Sequence, residues 1–255
     1  MKATIHQQLA QIEAQFQVKI LYACESGSRA WGFESPDSDF DVRFIYVHPR
    51  DWYLQLDAER QRDVIELPID NLLDINGWDL KKALNLFYKS NPVLLEWLSS
   101  PIVYRQDDDF VRAMRELMPV YFSAQKTFYH YLHMAKGNYR EYLKGEQVRL
   151  KKYLYVLRPL LAIEWILQFA KPIPMRFSEL VDACLPEQNV KEAVEHLLWV
   201  KTQRSEIAYG NAIPVLNAWI ERKLAEFEAI RPDMIKTSSI SALNTVFQQF
   251  CQERL

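Results

Sequence analysis

The spacing of hydrophobic residues changes near residue 105 of the chain. Before that point, short apolar runs alternate with amphipathic segments, and after it almost every hydrophobic position recurs at helical spacing. The first pattern predicts strands mixed with helices, and the second predicts a succession of helices. We therefore expect an α+β fold class, with a small mixed-sheet domain over residues 1–105 followed by an all-α helical domain over residues 106–255.

The N-terminal part predicts five short strands and three helices. The expected strands are apolar or β-forming runs, at 18–24, 40–47, 63–67, 71–76 and 102–105. The expected helices are 3–16, 79–89 and 92–99. Pro92 is suited to the first turn of the last helix, and Asp79 is suited to cap the one before it. The strand at 102–105 is expected at an edge of the sheet.

The C-terminal part predicts seven helices, most of them separated by prolines such as Pro119. The expected helices are 108–118, 120–139, 145–170, 177–184, 188–206, 214–230 and 239–253. Pro159 falls inside one of them, so we expect a kink there.

Charge and cysteine content narrow the classes of function. The 255 residues include 31 basic and 33 acidic side chains, and this net charge of −2 argues against nucleic-acid binding through bulk positive charge. The three cysteines are far apart in the sequence and form no CxxC pair, which predicts neither a disulfide framework nor structural zinc. We expect a cytoplasmic protein with no membrane partner, because no run of 18 apolar residues occurs. The number of subunits is left open.

Residues 24–47 combine groups that suit phosphate and metal binding. Gly27 and Ser28 follow the first expected strand, where a glycine lets backbone amides approach an anion and the hydroxyl can donate to phosphate. After ten further residues, Asp39 and Asp41 stand at the start of the second strand, and strand alternation places both carboxylates on one face. Two neighbouring like charges favour a bound divalent cation, and Mg²⁺ suits carboxylates combined with substrate phosphates.

The same residues admit a plainer interpretation. Asp39 and Asp41 can be surface acids on a solvated strand, and Arg43, on the same face, can pair with them or contact a substrate phosphate. Arg29, directly after Ser28, can contact phosphate or simply be exposed to solvent.

This stretch resembles the DNA polymerase β-type nucleotidyltransferase superfamily. Its signature is Gly-Ser followed, after nine to thirteen residues, by Asp/Glu-x-Asp/Glu on a strand, and the matching residues are Gly27, Ser28, Asp39 and Asp41. The wider runs GSRAWGF…SPDSDFDVRFIYV, INGWDLKKAL and SNPVLLEWL are similar to a bacterial and phage branch of predicted nucleotidyltransferases linked to RNA repair.

The resemblance implies a nucleotidyltransferase domain over 1–105 that holds two Mg²⁺ ions, with Mn²⁺ as a substitute. Asp39 and Asp41 would be the metal ligands and catalytic acids, and a third carboxylate is expected on a later strand. The candidates are Asp74 and Glu66, and we prefer Asp74 because it stands between two hydrophobic residues, as the family pattern requires. A nucleoside triphosphate such as ATP would be the substrate, with Gly27, Ser28 and Arg29 at its phosphates.

The expected 145–170 helix carries a basic stripe. Lys151, Tyr155 and Arg158 are spaced four and three residues apart, hence on one face, with Lys152 beside them. Because related enzymes supply a basic or aromatic residue to the triphosphate from a helical domain, the resemblance implies a nucleotide-binding role. The alternative is a solvated basic face. The preceding expected helix carries further cations that can extend a basic groove toward an acceptor: Lys136, Arg140 and Lys144.

The expected reaction transfers a nucleoside monophosphate from a triphosphate to an acceptor hydroxyl, for which an RNA end is the leading choice, and releases pyrophosphate. One alternative is nucleotidylation of a protein or a small molecule. Another is a non-catalytic module that binds nucleotide or RNA.

Overall fold

The computed structural model describes residues 1–70, 72–203, 209–232 and 238–251, with the backbone alone at 202 and 203. By their contacts these residues form two compact units. Unit 1 comprises Met1–Gly27, Asp39–Tyr121 and the described part of Thr237–Leu255. Unit 2 comprises Ser28–Ser38 and the described part of Phe122–Lys236. These bounds differ from the expected domains 1–105 and 106–255. Residues 106–121 and the last helix belong to the sheet unit, and Ser28–Ser38 belongs to the helical unit.

The chain has an α+β fold. In chain order, its described elements are α1 (Lys2–Phe16), β1 (Lys19–Ser26), α2 (Gly27–Trp31), β2 (Phe40–Val47), α3 (Arg50–Tyr53), a 3₁₀ turn (Ala58–Arg60), β3 (Val64–Glu66), β4 (Leu73–Asp79), α4 (Leu80–Tyr88), α5 (Pro92–Leu98), β5 (Val103–Gln106), α6 (Asp108–Tyr121), α7 (Ala124–Tyr142), β6 (Gln147–Arg149), α8 (Lys151–Phe169), α9 (Phe177–Cys184), α10 (Gln188–Gln203), β7 (Tyr209–Asn211), α11 (Pro214–Ala229) and α12 (Ser241–Cys251).

Unit 1 is built on a five-stranded mixed sheet with the strand order β3-β4-β2-β1-β5. Strands β2 and β4 are parallel, whereas the other neighbours are antiparallel. The predicted edge position of the last strand is confirmed, because β5 lies at one end of the sheet. One core cluster joins α1 to one face of the sheet, and its buried members are Ile5, Leu9, Ile12, Val18, Ile20, Ala23, Val42, Phe44, Tyr46, Ile65, Leu73 and Ile75.

Two helix starts follow the sequence signals closely. The Asp79 carboxylate caps α4 by accepting a hydrogen bond of 2.8 Å from the Lys81 backbone N–H. Asn91 caps α5 by accepting from the Leu94 N–H at 3.1 Å, and Pro92 occupies the first turn. Each cap fixes the first turn of its helix, α4 or α5.

Unit 2 is mainly helical but includes a short two-stranded sheet. Strand β6 lies inside the predicted 145–170 helix, so the predicted start at residue 145 was wrong, and α8 begins at Lys151. The backbone of Val148 pairs with that of Gly210 on β7, a contact that helical periodicity cannot reveal. Pro119 was expected to separate two helices but lies inside α6 of unit 1. Since α6 ends two residues later, the missing N–H interrupts only its last turn.

Parts of three predicted elements lie outside the described residues, at Asn71, 204–206 and 252–253. Across the described ranges, every helix is too short or too polar to cross a lipid bilayer.

Candidate active site

The corner after β1 brings a glycine against a carboxylate. Gly27 has φ +62°, in the left-handed region that favours glycine. A Cβ atom at this position would collide with the carboxylate of Asp41. Ser26 pairs with Asp41 in the antiparallel register of β1 and β2, so the strand ends beside that side chain. Any residue other than glycine would have to displace the Asp41 carboxylate.

Two carboxylates converge on one cation in the middle of the sheet. Asp41 and Asp74 are register partners on the parallel strands β2 and β4. The Arg43 Nη2 atom lies 3.1 Å from Oδ1 of Asp41 and 2.7 Å from Oδ2 of Asp74. The three side chains retain 18–31% of their exposure, so solvent and ligands can reach them. A single positive group therefore offsets the repulsion between two negative ones.

Glu25 supports this arrangement from beneath. Its side chain is fully buried, and its Oε1 accepts a hydrogen bond of 2.7 Å from the backbone N–H of Asp41. Its other oxygen accepts from the hydroxyl of Tyr104. Glu25 was not predicted as a site residue, although an acid directly after the apolar run of β1 is a visible signal. The neighbouring Cys24 is buried, which raises the pKa of its thiol far above the ordinary range, so it stays protonated.

The two carboxylates fit a divalent cation that takes its remaining ligands from water and substrate. Mg²⁺ is commonly held in this way, by one or two carboxylates together with phosphate oxygens. Within the described residues, no group of three or more His, Cys, Asp or Glu side chains is arranged to hold a metal. Asp39 immediately precedes β2 and is exposed. The fit therefore rests on Asp41 and Asp74, which already share one positive group.

Glu66, the other candidate for the third carboxylate, lies elsewhere in the sheet. It pairs in register with Asn76 on β4 and is placed on β3, at the opposite edge from β5. Its oxygens accept hydrogen bonds from Arg62 and from Asn76. The geometry favours Asp74 over Glu66 as the partner of Asp41.

One cation closes the segment Ser28–Ser38 on itself, and a second cation joins it to the rest of unit 2. Arg29 donates from Nη2 to the carbonyl oxygen of Ser38 at 2.6 Å, and Lys201 donates from Nζ to that of Phe33 at 2.6 Å. Ser28 is buried, and its carbonyl oxygen accepts from the N–H groups of Gly32 and Phe33. Arg29 thus closes the segment, and phosphate contact by Ser28 or Arg29 stays a prediction.

Three of the four α8 residues predicted to bind nucleotide meet an aromatic cluster in unit 2. Arg158 is 3% exposed and stacks on Trp31, with its guanidinium carbon 4.6 Å from the ring centroid. Tyr155 approaches the same ring edge-on at 5.7 Å. Lys152 Nζ lies 5.1 Å from the Tyr155 ring, and Lys151 is the first residue of α8. Trp31, which stands inside the motif segment, was not among the predicted site residues.

The predicted site residues divide between the units. Unit 1 contains the glycine and the three acids, Gly27, Asp39, Asp41 and Asp74. Unit 2 contains Ser28, Arg29, Lys151, Lys152, Tyr155 and Arg158.

The paired carboxylates and the glycine packed against Asp41 lie on a mixed sheet, in a chain whose family model is of the polymerase β class. The chain belongs to the RNA repair pathway DNA polymerase beta family, whose model matches residues 1–249. It is 45% identical over 253 residues to the uncharacterized protein YcgL of Bacillus subtilis (strain 168), with 96% of each chain covered. Among solved structures, a nucleotidyltransferase-like protein from Exiguobacterium sibiricum 255-15 aligns with 96% of this chain and 75% of its own, at 12% identity and a TM-score of 0.32.

Proposed function

We propose that this protein is a metal-dependent nucleotidyltransferase that moves a nucleoside monophosphate from a triphosphate to the hydroxyl of an RNA end. The observation that carries the proposal is the convergence of Asp41 and Asp74 on a single positive group, beside the corner at Gly27. The family match supports this chemistry, since the family is described as belonging to an RNA repair pathway. A purely structural ion pair would not need a glycine packed against the Asp41 carboxylate.

The residues of the chain would divide the work as follows. Asp41 and Asp74, with Asp39 beside them in sequence, would hold Mg²⁺, which supplies charge neutralisation at the phosphates and acidifies the acceptor hydroxyl. The acceptor oxygen forms a bond to the α-phosphorus, the bond from that phosphorus to the bridging oxygen breaks, and pyrophosphate leaves. Asp74 would take the proton of the acceptor hydroxyl. Arg43, now held between the carboxylates, is a donor for a phosphate oxygen.

The substrate contacts outside the sheet unit are proposed for α8 and the motif segment. Ser28 would donate to the β- or γ-phosphate, with Arg29 near it in the chain. Lys151 and Lys152 would neutralise the triphosphate, and Tyr155 would stack on the base or the sugar.

The test follows label from each nucleoside triphosphate, carried on the α-phosphate, in the presence of Mg²⁺ with total RNA or cell lysate. We expect label to enter RNA and to require the metal. Label that enters protein or small molecules instead would identify the acceptor as one of those classes. A protein that binds triphosphate but never transfers label, with Mg²⁺ or Mn²⁺, would contradict the proposal and favour a non-catalytic binding module.

A further inference from the structure

One face of unit 2 concentrates positive charge in a chain that is acidic overall. Residues 136–157, which stop short of the buried Arg158, include six Lys or Arg and two Glu, a net charge of +4 against −2 for the whole protein. The C-terminal half of α7, the strand β6 and the start of α8 all fall in this stretch. Charge of one sign gathered on one face raises the local concentration of the opposite sign.

The cations of this face lie against tyrosine rings. Lys152 Nζ is 3.9 Å from the ring centroid of Tyr142, and Lys144 Nζ is 5.7 Å from that of Tyr139. Arg149 lies over the Tyr209 ring, and its Nε donates to the hydroxyl of that tyrosine at 2.7 Å. Tyr209 is 52% exposed, so one surface of an aromatic ring remains available to a flat ligand.

The same face continues into a cleft between α7 and α11. Its volume is about 580 Å³, and its charged and titratable lining residues are His133, Lys136, Arg140, Lys144, Glu221 and Glu228. The two acids are engaged there, because Glu228 pairs with Lys136 and Glu221 accepts from the Tyr139 hydroxyl. Neither Arg140 nor Lys144 has an acid within ion-pair distance in the described part of the chain. These two cations are therefore open to an outside anion.

We propose that this basic face, defined by Arg140, Lys144 and Arg149 with Tyr142 and Tyr209, binds single-stranded RNA. The cations would contact phosphates, and the exposed Tyr209 and half-buried Tyr142 would stack on bases, which is the combination that single-strand binders use. If the partner were an acidic protein instead of RNA, it would bind the cations and would have no use for the aromatic rings. This face would be the surface that binds the acceptor of the proposed reaction. That the bound RNA is the acceptor rests on the proposed function.

The test measures the binding of a fluorescent RNA oligomer of about 10 nucleotides by anisotropy, in EDTA and without triphosphate, so that it does not depend on catalysis. The triple variant Arg140→Gln, Lys144→Gln, Arg149→Gln should weaken binding by about tenfold or more and flatten the salt dependence. A control with the same charge change, Lys89→Gln, Lys126→Gln, Lys171→Gln, replaces exposed cations elsewhere and should bind like the unchanged protein.

The tyrosines decide between RNA and an acidic protein. Tyr142→Leu with Tyr209→Leu should weaken RNA binding while leaving the weak binding of polyglutamate unchanged. RNA affinity that is equal in the triple variant and its control would overturn the proposal, as would tyrosine variants that bind RNA normally. If RNA binds this face but never receives label, the proposed function fails and this inference stands. If label enters RNA equally well in the triple variant, the proposed function stands and this inference fails.

Discussion

The carboxylates of unit 1 and the cations of unit 2 are held in different ways. Asp41 and Asp74 are fixed by strand register, and the backbone of Asp41 is also tied to the buried Glu25. Two cations of α8 instead lie on aromatic rings, Lys152 on Tyr155 and Arg158 on Trp31. Backbone-fixed acids suit chemistry that needs defined positions, whereas side chains on rings suit binding. We therefore expect substitutions in unit 1 to change turnover and those in unit 2 to change affinity.

The largest expected effect within this comparison is at Asp74. Asp74→Asn removes a carboxylate from the pair and should lower kcat by about a thousandfold, or roughly 4 kcal/mol of transition-state stabilisation. Glu66→Gln, a matched loss of charge on β3, should leave turnover close to that of the unchanged protein. Steady-state label transfer measures both. Equal losses, or a loss at Glu66 alone, would reverse the assignment of the third carboxylate.

A smaller effect concerns the stability of unit 1 against pH. Burial raises the pKa of Asp79 from 3.8 to about 6, although the Tyr53 hydroxyl and the Lys81 N–H both favour its ionised form. Because the folded state holds this proton more tightly than the unfolded chain, its contribution to stability is largest below about pH 4 and is lost as the pH rises to about 6. The gap between the two pKa values corresponds to roughly 3 kcal/mol.

Asp79→Asn keeps a capping side chain but removes the titration. The free energy of unfolding of the unchanged protein, minus that of the variant, should therefore fall between pH 4 and pH 6 and be flat above that range. Denaturant unfolding at several pH values gives this difference. A difference that rises with pH would show that Asp79 is ionised more easily in the folded state than in the unfolded chain.

The smallest effect is expected on α8. Replacing Lys151 and Lys152 by Gln should raise the KM for triphosphate by about tenfold, while kcat changes little. Arg158 requires a separate variant, because its buried stack on Trp31 stabilises the fold. Arg158→Ala should lower the free energy of unfolding by about 2 kcal/mol. If the lysine variant changes kcat but not KM, the expectation that unit 2 residues act on affinity rather than turnover is wrong.

The local features of the fold could be read from the sequence. The strand runs, the cap at Asp79 and the position of Pro92 depend on neighbours within a few residues. Contacts between residues far apart in the sequence could not be predicted. Strand β6 joins β7, some sixty residues further along the chain, so its three residues read as the start of a helix. The segment Ser28–Ser38 belongs to unit 2, where Lys201 bonds to Phe33 and Tyr155 meets Trp31, contacts that no local pattern reveals.

The candidate site was also predicted only in its local features. Strand alternation predicted that Asp39 and Asp41 share one face, but Asp39 precedes β2, so only Asp41 lies on the strand. Asp41 and Asp74 are register partners although 33 positions separate them, and only the family resemblance favoured Asp74. The spacing of the α8 residues gave a common face without revealing that Arg158 is buried. Glu25 was overlooked because its role depends on a hydrogen bond to the next strand.

Asp39, just before β2, and Asp41, on β2, are proposed to be catalytic, and one pair of variants tests this. The double variant Asp39→Asn, Asp41→Asn is assayed for transfer of α-labelled nucleotide beside Asp57→Asn, Asp63→Asn, which removes two exposed acids from the same unit. Far-ultraviolet circular dichroism and thermal unfolding establish that both variants are folded. We predict that the first variant loses transfer and that the control retains it. Near-normal transfer by a folded Asp39→Asn, Asp41→Asn protein would show that these acids are not catalytic.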